Sequence, residues 1–156
     1  MKIKMLVMDV DGTLTDGGIY MGNTGEAMKA FSAKDGYGIS QLLPQIGIIP
    51  VIITGRASSI VQNRARELRI TELFQGVGDK LTILHKVADR YHLEMEEIAY
   101  IGDDLNDLDC MKACGYTGCP GDAAKGVRAY VDYVCSVGGG CGAVREFIET
   151  LCEMQE

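Results

Sequence analysis

Two carboxylates, Asp9 and Asp11, follow an apolar segment close to the start of the chain. Residues 3–10 are broken only by Lys4 and Asp9, and such a run is typical of a strand that a parallel sheet buries on both faces. In open α/β sheets, ligands bind at the carboxyl ends of the strands. Charged groups there lose hydration energy unless a cation or hydrogen bonds compensate them, and no basic residue adjoins the pair. An Asp-Gly turn would explain Asp11 and Gly12 but not Asp9, so the pair predicts a bound metal ion.

Length and composition restrict the fold and the class of partner. The 156 residues, of which 47% are apolar, are enough for a single domain over residues 1–156 with a substantial core. The formal charge of -7 and the lack of a Lys/Arg cluster argue against nucleic acid and anionic membranes as partners. The longest apolar run, residues 46–53, is too short to cross a membrane, and the N-terminus lacks the pattern of a signal peptide. We therefore expect a cytoplasmic protein.

The cysteines lie in the C-terminal third of the chain, without a Cys-x-x-Cys pair and with no His near them. This pattern favours reduced thiols over a zinc site. The six are Cys110, Cys114, Cys119, Cys135, Cys141 and Cys152.

Short apolar runs alternate with amphipathic segments from residue 48 onward, which predicts a three-layer, Rossmann-like α/β fold with a mostly parallel sheet. The predicted strands are residues 48–53, a short piece around Phe74, 98–101, 116–119 and 133–135. The predicted helices are residues 57–69, one capped by Asp79 with Leu81, Leu84, Val87, Ala88 and Tyr91 facing inward, one that starts near Asn106, and residues 143–154. Residues 15–36 are glycine-rich and predict a short β-hairpin flap. They are too few for a cap domain, so the site should be open unless another subunit covers it.

Polar side chains follow four of these segments, at positions that a parallel sheet would bring to one edge. They are Asp9 with Asp11, Thr54, Lys80, and Asp103 with Asp104. This set suits phosphoryl transfer from a monoester, which needs a nucleophile, a proton donor for the leaving alkoxide, and positive charge around the phosphoryl oxygens. A carboxylate can attack phosphorus, and Mg²⁺ held by Asp9 and Asp103 would screen the repulsion between the anions. Thr54 and Lys80 can hold the transferring oxygens, whereas Asp11 can protonate the leaving group and then activate water.

These residues resemble the four motifs of the haloacid dehalogenase superfamily of phosphatases, and the resemblance spans nearly the whole chain. The motifs stand here as Asp9-Val10-Asp11-Gly12-Thr13, Thr54, Lys80, and Gly102-Asp103-Asp104-Leu105-Asn106-Asp107. The resemblance implies that Asp9 is the nucleophile, that Asp11 is the general acid and base, and that Thr54 and Lys80 bind phosphate. It also implies Mg²⁺ as the cofactor, held by Asp9, by the backbone carbonyl of Asp11 and by Asp103. By the same resemblance, the remaining acids of the last motif are partners of Lys80 or of metal-bound water; they are Asp104 and Asp107.

Within that superfamily, the chain resembles the small tetrameric branch without a cap that dephosphorylates 3-deoxy-D-manno-octulosonate 8-phosphate, an intermediate of lipopolysaccharide synthesis. Four local strings carry this narrower resemblance: Asp16-Gly17-Gly18-Ile19-Tyr20, Lys34-Asp35-Gly36-Tyr37-Gly38-Ile39, Thr54-Gly55-Arg56, and Gly139-Gly140-Cys141-Gly142-Ala143-Val144-Arg145-Glu146. The resemblance implies a homotetramer and a phosphorylated sugar-acid substrate. Besides Asp11, Thr54 and Lys80, it implies substrate contacts from a larger set of residues. These are Ser32, Ala33, Lys34, Asp35, Gly36, Gly55, Arg56 and Arg64, of which the two arginines would meet the sugar-acid carboxylate.

Other functions compete with this interpretation. A related branch acts on nine-carbon keto-deoxy sugar phosphates and tends to have an acidic residue in place of Arg56, so Arg56 favours the eight-carbon substrate. Arg64 could instead lie on a solvated helix face. A signalling receiver domain also combines acids, a Thr and a Lys on a doubly wound sheet, but its phosphoacceptor Asp ends the third strand, where this chain has Thr54. A phosphosugar-binding module without activity is a further alternative, although no motif residue is missing.

Overall fold

The fold consists of a central sheet of parallel strands, helices on both of its faces, and one separate hairpin. The computed structural model describes residues 2–155. Within that range the strands are β1 (Met5–Met8), β2 (Tyr20–Gly22), β3 (Gly25–Met28), β4 (Ile49–Ile53), β5 (Glu72–Phe74), β6 (Ile98–Ile101), β7 (Tyr116–Cys119) and β8 (Tyr133–Val134). The α-helices are α1 (Ala33–Tyr37), α2 (Leu43–Gln45), α3 (Ser59–Glu67), α4 (Lys80–Arg90), α5 (Leu108–Ala113), α6 (Lys125–Arg128) and α7 (Ala143–Gln155).

The strand order brings the predicted site segments together. The central sheet has the order β5-β4-β1-β6-β7-β8, and its neighbouring strands are parallel. Strand β1 lies between β4 and β6, so that Met8 pairs with both Ile52 and Ile101. The carboxyl ends of these three strands are therefore side by side, which confirms the predicted parallel α/β fold.

Alternating side chains of β1 enter two separate hydrophobic clusters, one on each face of the sheet. Leu6 belongs to the cluster that includes Phe147 of α7, and Val7 belongs to the cluster that includes Leu84 of α4. All four side chains are fully buried. Burial on both faces explains why the sequence of β1 is a continuous apolar run, and it produces the three layers that the sequence predicts.

The predicted flap is an antiparallel hairpin of β2 and β3, in which Met21 pairs with Glu26. No cap domain is inserted anywhere in residues 2–155, as predicted. The flap carries exposed apolar side chains, of which Met21 is 63% and Met28 is 58% exposed. None of the helices in the described part of the chain is long and apolar enough to span a membrane.

Several element boundaries differ from the predictions for local reasons. The helix predicted over residues 57–69 is α3, which starts one residue after Ser58, whose side chain accepts a hydrogen bond from the Ile60 N–H. It ends before Arg69, which has a positive φ of 61°. The helix predicted near Asn106 begins as a 3-10 turn (Leu105–Asp107) and continues as α5.

Candidate active site

Asp9 follows β1 directly, and the sheet holds its backbone in place. Its N–H donates to the carbonyl of Ile101 at 3.1 Å, which extends the pairing of β1 with β6. Its carboxylate oxygen Oδ1 accepts a hydrogen bond from Lys80 Nζ at 3.1 Å. Burial raises the pKa of Asp9, and the nearby Asp107 adds to this effect, whereas the Lys80 ammonium opposes it. Asp9 is 6% exposed, so an approaching ligand can reach it only from one side.

Lys80 supplies the positive charge at this edge of the sheet. It is the first residue of α4, and the side chain of Asp79 caps that helix by accepting a hydrogen bond from the Thr82 N–H, as predicted. The ammonium of Lys80 donates to Asp9 at 3.1 Å and to Asp107 at 2.9 Å. Burial alone would lower the pKa of Lys80, but these two carboxylates raise it, so the side chain stays charged in the interior.

Asp107 is completely buried and fixes the position of Lys80. Its Oδ1 accepts from Lys80 Nζ and, at 2.6 Å, from the hydroxyl of Tyr100. Its Oδ2 accepts from the backbone N–H groups of Asp103 and Asp104 at 3.2 and 3.4 Å. Asp107 therefore contacts Lys80, one of the two partners that the resemblance implies for it, and a role in the reaction stays a prediction.

Unlike Asp107, Asp104 lies at the surface. Its side chain is exposed and accepts a hydrogen bond from the Leu105 N–H at 2.8 Å, which caps the 3-10 turn. The structure gives it no contact with Lys80. Of the two predicted roles, only a contact with metal-bound water is compatible with this position, and that role stays a prediction.

The carboxylates around Lys80 fit a divalent cation bound by oxygen ligands. One oxygen from each of Asp9, Asp103 and Asp107 lies within 4.8 Å of the other two. Burial raises the pKa of Asp103 to about 8, and the adjacent carboxylates of Asp9 and Asp107 add to this effect. Because Asp107 already accepts four hydrogen bonds, Asp9 and Asp103 are the carboxylates with the most capacity left for a metal ion.

Gly12 allows Asp103 to come close to the turn after β1. Its φ is +89°, and a Cβ at this position would lie 1.9 Å from Asp103 Oδ2. Thr13 donates from its hydroxyl to Asp103 Oδ1 at 3.1 Å. The Asp-Gly-Thr sequence thus shapes the turn around the carboxylate of the last motif.

A cleft of about 210 Å³ lies at this edge of the sheet. Its lining consists of Asp9, Asp11, Thr54, Gly55, Arg56, Asp103, Asp104 and Asn106. Thr54 is buried, and its N–H donates to the Phe74 carbonyl at 2.9 Å, which continues the pairing of β4 with β5. The structure therefore brings together the predicted residues of the first, second and last motifs, and the hydrogen bond to Asp9 adds Lys80 of the third.

Two flap residues that the sequence did not single out, Glu26 and Lys29, contact Arg56 and Asp11 in the lining of this cleft. The ammonium of Lys29 lies 2.5 Å from Asp11 Oδ1 and 3.0 Å from Glu26 Oε2. Burial alone would lower the pKa of Lys29, but hydrogen bonds to both carboxylates raise it. The only available signal was weak: Glu26 and Lys29 are the sole charged residues in residues 17–31.

Arg56 stands at the rim of the cleft. Its Nη2 lies 3.6 Å from Glu26 Oε2, and its Nε lies 4.0 Å from Asp11 Oδ2. The side chain is 49% exposed, so it remains accessible to a ligand. Its predicted contact with substrate is compatible with this position.

Arg64 and residues 32–36 are not part of the lining of the cleft. Arg64 and Ala33 line a separate depression of about 390 Å³, to which Lys29 also contributes. Lys29 donates a hydrogen bond to Asp11, so the depression adjoins the cleft. Arg64 Nη2 donates to the Ser32 carbonyl at 3.3 Å, and its Nη1 donates to Glu67 at 2.8 Å. Arg64 is thus half-buried against the loop and does not lie on a fully solvated helix face.

Asp35 has a structural role in the same loop. It is buried, and its Oδ1 accepts a hydrogen bond from the Arg145 N–H in the first turn of α7 at 2.9 Å. Burial raises the pKa of Asp35 to about 6. Gly36 packs so closely that a Cβ would lie 2.5 Å from Arg64 Nη2, whereas Lys34 is exposed. The substrate contacts predicted for residues 32–36 stay predictions.

Known proteins with related sequences are phosphatases. A family model described as haloacid dehalogenase-like hydrolase matches residues 69–148. The protein named 3-deoxy-D-manno-octulosonate 8-phosphate phosphatase KdsC in Yersinia pestis is 42% identical over 155 residues, which are 99% of this chain and 82% of the relative. The protein of the same name in Escherichia coli K12 is 43% identical over 150 residues, or 96% of this chain and 79% of the relative.

Solved structures of such phosphatases share the fold. The Yersinia pestis structure has a TM-score of 0.94 and 42% identity, and the match covers 98% of this chain and 82% of that one. A Moraxella catarrhalis structure, in complex with magnesium, phosphate and KDO, has a TM-score of 0.92 and 44% identity over 97% of this chain and 86% of that one. A cobalt-bound structure from Haemophilus influenzae has a TM-score of 0.95 and 38% identity over 99% and 90%, respectively. This chain belongs to the haloacid dehalogenase-like hydrolase family.

Proposed function

We propose that this chain hydrolyses 3-deoxy-D-manno-octulosonate 8-phosphate to the free sugar acid and phosphate, a step of lipopolysaccharide precursor synthesis. The observation that carries the proposal is the cleft in which Asp9, held by the buried Lys80, lies beside Asp11 and Thr54. A nucleophile, an acid and base, and phosphate-binding groups are thereby within one site. The substrate named for the relatives from Yersinia pestis and Escherichia coli supports the choice of sugar acid.

The reaction proceeds in two displacements at phosphorus. A carboxylate oxygen of Asp9 attacks the phosphorus, the bond from phosphorus to the sugar oxygen breaks, and Asp11 gives its proton to the departing alkoxide. Asp11 then removes a proton from a water molecule, whose oxygen bonds to phosphorus as the aspartyl-phosphate bond breaks. This second step releases phosphate and restores Asp9. Lys80 and Thr54 hold the phosphoryl oxygens in both steps.

Mg²⁺ is the cofactor of this proposal. The carboxylates of Asp9 and Asp103 and the backbone carbonyl of Asp11 would hold it, in a cluster whose acids fit an oxygen-bound divalent cation. When bound, the ion supplies positive charge that offsets the repulsion between a phosphate dianion and the carboxylates. The magnesium in the Moraxella catarrhalis relative supports this choice of metal.

Arg56 and Arg64 are proposed to recognise the carboxylate of the sugar acid. Arg56 is exposed at the rim of the cleft, and Arg64 lines the adjoining depression. A guanidinium binds a carboxylate through two parallel hydrogen bonds, which suits the end of the substrate that is distant from its phosphate. The loop of residues 32–36 would lie against the sugar between them.

A homotetramer in the cytoplasm completes the proposal. The flap exposes Ile19, Tyr20, Met21 and Met28, an apolar surface that a second copy of the chain could cover. Free thiols at Cys110, Cys114, Cys119, Cys135 and Cys141 are compatible with a reducing compartment. Gel filtration with light scattering is expected to give four chains per particle, and a monomer would contradict the assembly.

The substrate is tested by comparing kcat/KM for the eight-carbon ester, its nine-carbon homologue and simple phosphate esters, each with and without EDTA. We expect the eight-carbon ester to be preferred and EDTA to abolish turnover. A preference for the nine-carbon ester would move the assignment to that acid, and a preference for simple esters would contradict the sugar-acid assignment.

A matched pair of variants on α3 tests the carboxylate contact. Arg64→Met is expected to raise KM for the sugar-acid ester by about 10-fold or more, because a hydrogen-bonded charge pair is lost, while leaving KM for an aryl phosphate nearly unchanged. Arg66→Met alters an exposed arginine of the same helix and should change neither value. Equal effects of the two substitutions would argue against a substrate contact by Arg64.

A further inference from the structure

Lys29 occupies an unusual position for a lysine in a surface hairpin. It directly follows β3, yet its side chain is only 2% exposed. Its ammonium is directed at Asp11 Oδ1, 2.5 Å away, although 18 residues separate the two in the chain. A lysine that gives up hydration in this way needs a compensating anion, and Asp11 and Glu26 supply it.

Glu26, which lies within β3, holds Lys29 in this orientation. Its Oε2 lies 3.0 Å from the Lys29 ammonium, and its Oε1 accepts a hydrogen bond from the Ser58 hydroxyl at 2.7 Å. Ser58 is the N-cap residue of α3, so this contact anchors the flap to the body of the domain. The flap is therefore fastened at the point where Lys29 meets Asp11.

We propose that Lys29, held by Glu26, is a positioning residue that fixes the carboxyl group of Asp11 for the reaction. The inference rests on the proposed role of Asp11 as general acid and base. A carboxyl group on a short side chain can rotate. Proton transfer requires one of its oxygens to lie within hydrogen-bond distance of the leaving oxygen. Anchoring of Oδ1 by Lys29 leaves Oδ2 as the oxygen that faces the substrate side, where Arg56 lies 4.0 Å away.

The proposal predicts that loss of Lys29 slows the first step, transfer of the phosphoryl group to Asp9, only where the leaving group needs the proton of Asp11. Phenyl phosphate has a poor leaving group that needs protonation, whereas p-nitrophenyl phosphate has a good one that needs little. Lys29→Met is expected to lower kcat/KM for phenyl phosphate by about 10- to 100-fold, because a displaced acid loses much of its contribution. The loss of kcat/KM for p-nitrophenyl phosphate should be below about 5-fold, because kcat/KM reports the steps up to release of the alcohol and not the later hydrolysis of the aspartyl phosphate.

A double-mutant cycle with Asp11→Asn isolates the route of the effect. If Lys29 acts through Asp11, adding Lys29→Met to Asp11→Asn should change kcat/KM for phenyl phosphate by less than about 2-fold. Equal losses for the two esters, or an undiminished effect in the Asp11→Asn background, would overturn the proposal. Wild-type activity of Asp11→Asn itself would instead refute the proposed reaction. The outcomes for Lys29→Met and for Asp11→Asn do not depend on which sugar acid is the natural substrate.

Two further variants serve as controls for a folding defect in Lys29→Met. Lys86→Met removes an exposed lysine of α4 and should leave kcat for both esters unchanged. Glu26→Gln retains the shape and the bond to Ser58 but removes the charge that holds Lys29, so the same difference between the esters is expected at about 3- to 10-fold. If Lys29→Met unfolds the protein, Glu26→Gln tests the proposal in its place. Equal losses for both esters, or no loss, would then overturn the proposal.

Discussion

Tyr100→Phe is the substitution that tests most sharply how the site is held together. Tyr100 is a fully buried residue of β6, and its hydroxyl donates to Asp107 Oδ1, the atom that also accepts from Lys80. Phenylalanine keeps the ring and removes only this donor. The change therefore weakens the support of Lys80 without altering any group that we expect to contact substrate.

The hydroxyl of Tyr100 lies 2.6 Å from the Asp107 oxygen, which is the short distance of a charge-assisted hydrogen bond. Removing a bond to a charged, buried group costs about 1.5–3 kcal/mol of unfolding free energy. For a domain of this size, each kcal/mol lowers Tm by about 2–4 °C, so we expect a decrease of about 3–12 °C. Because Lys80 shares the same oxygen, we also expect kcat to fall by about 10-fold.

Differential scanning calorimetry measures the first effect and steady-state phosphate release measures the second. Tyr91→Phe is the matched control, because its hydroxyl also donates to a carboxylate, Glu72, at 2.7 Å. Tyr91 follows the opposite end of α4 from Lys80, about 16 Å along the helix axis, so kcat should not change. If Tyr100→Phe kept both the Tm and the kcat of the parent, the proposed support of Lys80 would be refuted.

Three further predictions concern pH, burial and packing. Burial and Asp9 raise the pKa of Asp103 to about 8, so the metal-free fold binds a proton that the unfolded chain releases, and stability falls as pH rises from about 4 to about 8. Because Mg²⁺ needs the deprotonated acid, it should raise Tm more at about pH 8 than at about pH 5.5, and an equal shift would contradict this site. Burial likewise raises the pKa of Asp35 to about 6, so the parent loses stability as pH rises from about 4 to about 6. Asp35→Asn removes that loss and should be more stable than the parent at pH 7 by at most about 3 kcal/mol. If the Tm values of the two proteins changed in parallel with pH across this range, the burial of this carboxyl group would be contradicted. Gly118→Ala would place a Cβ 2.5 Å from Cε2 of Phe147, which should cost about 1–3 kcal/mol in a calorimetric scan, and an unchanged Tm would contradict the tight packing.

The site residues that sequence reasoning located share one property: each lies where a regular element starts or stops. Asp9, Thr54 and Asp103 come at or just after the ends of apolar runs, and parallel pairing brings such ends to one edge of a sheet. Lys80 was located because Asp79 is a helix-capping residue next to it. Local patterns were sufficient for these positions, since topology alone juxtaposes them.

The residues that sequence reasoning missed depend on contacts that no local pattern encodes. Tyr100 lies within a strand and resembles any core aromatic residue, because its partner Asp107 meets it only after the chain turns. Lys29 meets Asp11 only because the flap folds back toward the end of β1. The position of Arg64 likewise depends on how α3 packs against the loop of residues 32–36, which periodicity does not specify.

The central claim is that Asp9 forms a covalent phosphoryl intermediate with the sugar-acid phosphate. Mixing the magnesium-loaded enzyme with 3-deoxy-D-manno-octulosonate 8-phosphate, quenching in acid and mapping peptides by mass spectrometry measures this directly. We predict a phosphorylated peptide with the modification on Asp9, and none with Asp9→Asn. Rapid turnover with no phosphopeptide, or with the phosphoryl group on another residue, would contradict the account.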